Sequence, residues 1–486
     1  MSTVVESPRL LRSWVGGQFR ASEAGKTRPD LNPSDREDVV GLVPVGSPED
    51  AAAAVAAAAA AFPAWRALPG PARAEHLYRW AAAIEARRDE LAKAVAREVG
   101  KPIGESAGEV LRCVAILRYY AGEAVRAIGE VVPAQGAGML QFTLRQPLGV
   151  VGLVTPWNFP VAIPMWKGAP AIAFGNTVVL KPAEQATHSS LLLAEAAHAS
   201  GLPAGVFNVL VGSGSVVGSA LLEQEAVRAV SFTGSGDVGA RVAAVCSRRN
   251  IRYQTEMGGK NVVIVAGDAD LDHAARLTAA GAMRYAGQKC TATSRAIVVR
   301  EVEEAFHRKL LEQVESLSLG PVEESSSAVG PLISESTREH VHQAVQRAGG
   351  ERLCGGSAPT DARFQRGFFY LPTVIRGVDP DSELAQDELF APVLATFVVE
   401  DLDQAIAVAN RTRYGLSASL FTRDIGNALR YIHRIEAGMV RVNGDTTGVD
   451  PHAPFGGVKG SSSGTREQGS AAREFYTEIH TVQIQP

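Results

Sequence analysis

Val227-Arg228-Ala229-Val230-Ser231-Phe232-Thr233-Gly234-Ser235-Gly236-Asp237-Val238-Gly239 decides the fold class. A near-continuous apolar run, 227–232, passes directly into G-x-G-x-x-G. A strand that is apolar on both faces belongs in a parallel sheet covered on both sides. Glycines at its end let backbone amides and a helix N-terminus approach a pyrophosphate. A glycine-rich turn with no ligand is written in the same letters. The acid expected about 20 residues on would be Glu256, to which a different role is given below.

Working outward, the apolar runs 149–154, 177–180 and 206–211 precede this strand, with helical stretches between them such as 187–200, closed by Gly201. This βαβ rhythm predicts a parallel sheet. A second rhythm follows Glu256, with strands expected at 261–265, 296–299, 393–399 and 439–442. Two α/β domains suit a chain of 486 residues, beyond the size at which single cores stop growing. Residues 13–45 read as short strands. Residues 47–126 read as helical, opening on the cap Ser47-Pro48-Glu49-Asp50 and including one long segment, 71–99, stopped by Gly100-Lys101-Pro102. Residues 130–147 read as an extended hairpin that pairs with another subunit. Residues 470–486 alternate like a strand with no local partner.

The balance of 48 basic and 52 acidic residues, net charge -4, argues against nucleic acid or an anionic membrane as partner. No basic-then-apolar signal pattern opens the chain, and the alanine-rich run 51–61 is too short to span a bilayer. Cys113, Cys246, Cys290 and Cys354 form no C-x-x-C. Neither a metal site nor a disulfide framework is expected, and a reducing cytoplasm is the natural compartment.

Several stretches carry chemistry. Cys290 lies in Gly287-Gln288-Lys289-Cys290-Thr291-Ala292-Thr293-Ser294-Arg295, a loop feeding a strand. Read alone, a single cysteine is more often a small buried hydrophobe. Thr155-Pro156-Trp157-Asn158-Phe159-Pro160 ends another strand, and its fenced asparagine can donate to an oxyanion or simply form a turn. Lys181-Pro182-Ala183-Glu184 closes a third strand where open sheets place ligands; a solvated strand end looks the same. Glu256 precedes Met257-Gly258-Gly259-Lys260-Asn261, and burial there raises a carboxylate toward general-base range. A surface glutamate before a turn is the plain alternative.

Together with Glu388-Leu389-Phe390-Ala391-Pro392 and Pro454-Phe455-Gly456-Gly457-Val458-Lys459, these blocks occur in an order and spacing that resembles the aldehyde dehydrogenase superfamily over essentially the whole chain. The resemblance implies an α/β fold: a Rossmann-like NAD(P)-binding domain (1–129 and 148–255, with a return at 443–469), a catalytic domain (256–442) and an oligomerisation β-element (130–147 and 470–486). It implies Cys290 as nucleophile, Glu256 as base and Asn158 as oxyanion donor. Lys181 is grouped with these and, with Glu184, with the adenine-side ribose contacts. Glu388 corresponds to the holder of the nicotinamide-side ribose, and Thr155, Pro156, Trp157, Gly234, Ser235, Gly239 and Phe390 complete the cofactor cleft. NAD is expected ahead of NADP, since Glu184 would repel a 2′-phosphate.

The expected partners are a small aldehyde and further copies of the chain, as a homodimer or homotetramer. Where many members carry aromatics this chain has Met283 and Arg284, so the tunnel is not expected to be purely apolar. Arg284, six residues before Cys290, is expected to meet a carboxylate on the substrate, with Phe159 and Phe455 lining the tunnel. The expected substrate is a semialdehyde such as α-ketoglutaric semialdehyde. Succinic semialdehyde and broad aliphatic aldehydes remain alternatives, and a non-catalytic structural relative is the rival from outside enzymology.

Overall fold

The strand that opens the reading forms as Val227–Thr233, buried along nearly its whole length, and sits near the middle of an eight-stranded sheet. The computed structural model describes residues 8–22, 24–126 and 129–485. Residues 1–7, where no signal pattern is read, lie outside them. Parallel neighbours run Phe207–Val209, Thr177–Pro182, Val150–Thr155, Val227–Thr233, Arg252–Glu256. The chain moves one way through the first three and the other way through the last two. The strand order therefore reverses between Val150–Thr155 and Val227–Thr233, the place where such sheets open a crevice at their carboxyl ends. Asn158 and the glycine loop both leave the sheet there. Antiparallel edges are added by Ser13–Val15 with Gln18–Arg20 and, from the distant tail, by Ser462–Ser463 against Arg252–Glu256.

The second rhythm becomes a seven-stranded sheet. Its parallel part runs Thr373–Arg376, Val393–Val399, Thr293–Val299, Asn261–Val265, Ser417–Phe421, Met439–Val442. Glu351–Cys354 adds an antiparallel edge. Ser47 makes the full capping box at the head of Pro48–Ala67, and Gly100 takes the left-handed conformation (φ 67°) expected of a helix stop.

Two expectations need correction. The long helix divides into Gly70–Ala86 and Arg88–Val99, because Arg87 leaves helical geometry (φ -102°, ψ 18°) and binds Glu90 and Glu195. The tail is not a strand throughout: Ala471–Tyr476 is helical and buries Phe475 and Tyr476. The strand Thr477–Ile484 follows and does have a partner, the chain's own Leu140–Pro147, whose other side is taken by Val131–Val132. The hairpin thus exists, but both sides of its long strand are occupied within the same chain.

Candidate active site

Cys290 stands where two cavities meet. One, about 250 Å³, lies over the sheet reversal and is lined by Pro156, Trp157, Asn158, Gly234, Ser235, Gly258, Glu388 and Phe390. The other, about 290 Å³, runs between the Ile103–Glu123 helix and the tail loops, with Phe159, Trp166, Thr291, Thr447 and Phe455 on its walls. A thiol open to both sides can meet one molecule from each.

The loop that presents it is strained. Tyr285 (φ 55°) and Ala286 (φ 50°) take left-handed conformations that side-chain-bearing residues rarely adopt, and Gly287 (φ 65°) continues the turn. The surroundings over-determine this shape. Gln288 donates to the Pro331 carbonyl (3.1 Å) and accepts from Ile333 N–H (2.9 Å). The Asn261 amide donates to the carbonyls of Cys290 (2.8 Å) and Ala292 (2.9 Å).

Burial, then the charges of Glu388, Glu256 and Glu467, push the Cys290 thiol up to about 12. The resting sulfur is therefore protonated, and a base must take its proton.

Glu256 ends its strand buried, one oxygen accepting from the Ser462 hydroxyl (2.5 Å) and the other without a partner among the described residues. Burial first, then the nearby Glu467, holds its pKa well above the usual carboxylate range. Glu467 is itself joined to Lys167, and the two are linked to Ser231 and Gln254. Asn158 donates one amide hydrogen to the Gln288 carbonyl (3.1 Å), and its second meets no acceptor among the described residues. The backbone N–H of Cys290 likewise donates to no acceptor among the described residues. Both residues line the crevice-side cavity, and donors of this kind suit an oxyanion.

On the crevice side the helix Gly236–Arg248 begins at Ser235 with no side-chain cap, leaving its first amides free. Gly239 is needed for packing, since a Cβ there would meet Met257 Sδ at 2.5 Å. At Gly258 a Cβ would strike the Glu388 carboxylate at 2.0 Å. Glu388 accepts from Gly259 N–H (3.0 Å), and burial pushes it up to about 7. Phe390 packs edge-on against Trp157. Thr155 is buried, and its hydroxyl has no partner among the described residues. These residues suit a dinucleotide: free amides for a pyrophosphate, and carboxylates for ribose hydroxyls.

Lys181 is buried beside Gly214 and Gly218, its ammonium on the Pro182 carbonyl (2.7 Å), and burial pushes it down to about 8. It lines neither cavity at Cys290. It feels the charge of Glu184, whose carboxylate pairs with Arg28 at 3.4 Å, and not that of any group at Cys290, so the grouping with the catalytic residues is corrected.

Arg284 is corrected too. It is exposed and lines neither cavity. The helix ends at Met283, Arg284 is already extended (ψ 141°), and the left-handed pair that follows resets the direction in which side chains point. Tyr285 takes the inward place, buried beneath the Lys101 ammonium at 4.5 Å. The cations on the tunnel wall are Arg112 and Lys289, which sequence reasoning did not single out. Lys289 stood next to the nucleophile. Arg112 shares the spacing 105, 108, 109, 112 of one helix face, a period visible only once that face is known to matter.

A model of the aldehyde dehydrogenase family matches residues 19–482, and the chain belongs to that family: it is an oxidoreductase. Among characterised relatives it is similar to the alpha-ketoglutaric semialdehyde dehydrogenase of Bacillus subtilis (strain 168), 43% identical over 100% of both chains. It is also similar to the alpha-ketoglutarate semialdehyde dehydrogenase of Haloferax volcanii, 44% identical over 97% of this chain and 98% of that one. Among solved structures, an NAD-dependent aldehyde dehydrogenase from Sinorhizobium meliloti superposes with a TM-score of 0.94 at 37% identity, covering 100% of this chain and 97% of that one. PnpE in complex with nicotinamide adenine dinucleotide does so with 0.94 at 36%, covering 97% of each.

Proposed function

We propose that this protein oxidises α-ketoglutaric semialdehyde to α-ketoglutarate with NAD, through a thioester on Cys290. The observation that carries the reading is the position of Cys290 between a dinucleotide-shaped crevice and a separate tunnel. The names of the relatives supply the substrate. In the crevice, Glu184 and Lys181 hold the adenine-side ribose, the first turn after Ser235 the pyrophosphate, and Glu388 the nicotinamide-side ribose.

The chemistry follows from the residues. Glu256, directly or through water, takes the thiol proton, and the sulfur adds to the aldehyde carbon. The new alkoxide is held by the free Asn158 amide hydrogen and the Cys290 N–H. NAD held in the crevice would accept the hydride that leaves the carbon as the alkoxide collapses, and Cys290 would then carry the acyl group as a thioester. Once Glu256 has released that first proton to solvent, it removes a proton from water as the water attacks the thioester carbon; the adduct then expels the sulfur, which takes the proton back from Glu256 as the acid departs. A member that passes its thioester to coenzyme A would not need this base; Glu256 favours hydrolysis. We place the enzyme in the cytoplasm as a homodimer or homotetramer. The exposed Ile479 and Ile484 on the outer strand Thr477–Ile484 support association of copies.

The test is NADH formation by purified protein with α-ketoglutaric semialdehyde, succinic semialdehyde and pentanal. The first should have the highest kcat/KM, and NAD should be preferred to NADP. Equal kcat/KM for pentanal and α-ketoglutaric semialdehyde would end the substrate assignment, and a strong NADP preference would end the placement of Glu184. Cys290→Ala should abolish turnover while the protein still folds; substantial residual turnover contradicts the mechanism.

A further inference from the structure

Four charged side chains stand on the tunnel wall: Glu105, Glu109 and Arg112 from the Ile103–Glu123 helix, and Lys289 beside the nucleophile. Three of them are committed. Glu109 gives one oxygen to Lys101 and the other to the N–H groups of Val161 and Ala162. Glu105 and Lys289 pair with each other at 3.1 Å. Arg112 makes neither an ion pair nor a hydrogen bond with any described residue. Each glutamate is matched by a lysine, so the tunnel holds one uncompensated positive charge, on Arg112.

We infer that Arg112 is the specificity-determining residue that binds the carboxylate of the substrate while its aldehyde carbon meets Cys290. Phe159, Trp166 and Phe455 give the tunnel apolar surface, and beside such surface a charge is screened less than in open water. The planar guanidinium fork matches two oxygens at once, either those of a carboxylate or one carboxylate oxygen and the neighbouring keto oxygen. Gly108 stands one turn before Arg112, and a Cβ there would meet nothing within 4 Å, so the wall is open next to the guanidinium. Lys289 is the weaker candidate because Glu105 already occupies it.

The inference rests on the proposed substrate, and the experiment separates the two. kcat/KM is measured for α-ketoglutaric semialdehyde and for pentanal, its neutral analogue of equal chain length, with wild type, Arg112→Met and Arg112→Lys. A charge-assisted hydrogen bond corresponds to a selectivity of about 10- to 100-fold. Arg112→Met should lower the ratio of the two kcat/KM values by that factor, through KM rather than kcat, and Arg112→Lys should recover part of it. KM for the semialdehyde should rise with salt in wild type and not in Arg112→Met. A selective wild type whose ratio survives Arg112→Met overturns the role of Arg112. A wild type with no preference for the semialdehyde overturns the substrate assignment. Should Arg112→Met lose its fold by thermal melting, glutarate decides with wild type alone. Competitive inhibition of pentanal oxidation supports the inference, and no inhibition overturns it.

Discussion

Two lysine–glutamate pairs are buried against the helix Ala162–Ala173, and they do opposite things. In Lys101–Glu109 both oxygens of the carboxylate are used: one takes the ammonium, the other two backbone N–H groups, and the lysine lies over the rings of Phe159 (3.8 Å) and Tyr285 (4.5 Å). In Lys167–Glu467 one carboxylate oxygen collects Lys167, Ser231 and Gln254, while the other has no partner among the described residues. Its charge falls on Glu256 and the thiol of Cys290. A saturated pair fixes position: it sets the start of the helix that follows Asn158 and Phe159. Beyond its own lysine, the charge of Glu109 reaches Cys113 and Tyr285, whereas that of the unsaturated pair reaches the base and the nucleophile. The residue types are the same, and the difference lies in the lone pairs left over.

The largest effect expected from this contrast belongs to Glu256, beside the unsaturated pair. Glu256→Gln should cut turnover by roughly 10²–10⁴, with an acyl adduct on Cys290 detectable by mass spectrometry of quenched reactions. Unchanged turnover would remove the chemical half of the contrast. Next comes the saturated pair. Glu109→Ala leaves Lys101 as a lone buried charge and should cost about 3–5 kcal/mol of stability, read from chemical denaturation. A loss below about 1 kcal/mol would show that the pair does not hold the fold.

Glu467→Gln is subtler. Glu256 must be ionised to act, and the negative charge of Glu467 raises its pKa. Removing that charge should move the acid limb of the kcat–pH profile to lower pH; a limb that stays or rises contradicts the coupling.

A third buried pair, one that has no lysine, sharpens the contrast. Asp30 is buried against Glu98 and pushed up to about 10, by burial first and then by that carboxylate. It keeps its proton in the folded chain and loses it, when unfolded, above about pH 4. Its contribution to stability is complete below about pH 4 and declines as pH rises toward 10. Asp30→Asn should flatten that decline in denaturation midpoints measured across the range, and an identical decline in both proteins would refute the protonated Asp30.

How much of this was legible in the sequence depends on the range over which each signal acts. Strands buried on both faces leave continuous apolar runs, so both central sheets could be read from 149–154, 227–232, 261–265 and 393–399. Local caps, Ser47 and Gly100, were equally plain. The break at Arg87 was hidden because both flanking segments are sound helix. Arg284 misled because a helical period was carried past Met283, where Tyr285 and Ala286 turn the backbone left-handed with no glycine until Gly287. Cys290, Glu256 and Asn158 were found as local motifs. The groups that tune them, Lys167, Ser462 and Glu467, act on Glu256 across 89, 206 and 211 positions and leave no local period at all.

That separation has a consequence in time. Ser462 reaches Glu256 from 206 positions away, and Glu467 reaches Lys167 from 300. At a synthesis rate of about 5–20 residues per second, Glu256 waits on the order of ten to forty seconds for its hydroxyl partner to be made. Until then its carboxylate stands at the uncovered edge of the sheet, and neither it nor the later-made thiol of Cys290 has Glu467 beside it. The tail is made last, so a ribosome stalled before residue 460 carries a chain that already holds its nucleophile and its base and has yet to acquire the surroundings that tune them.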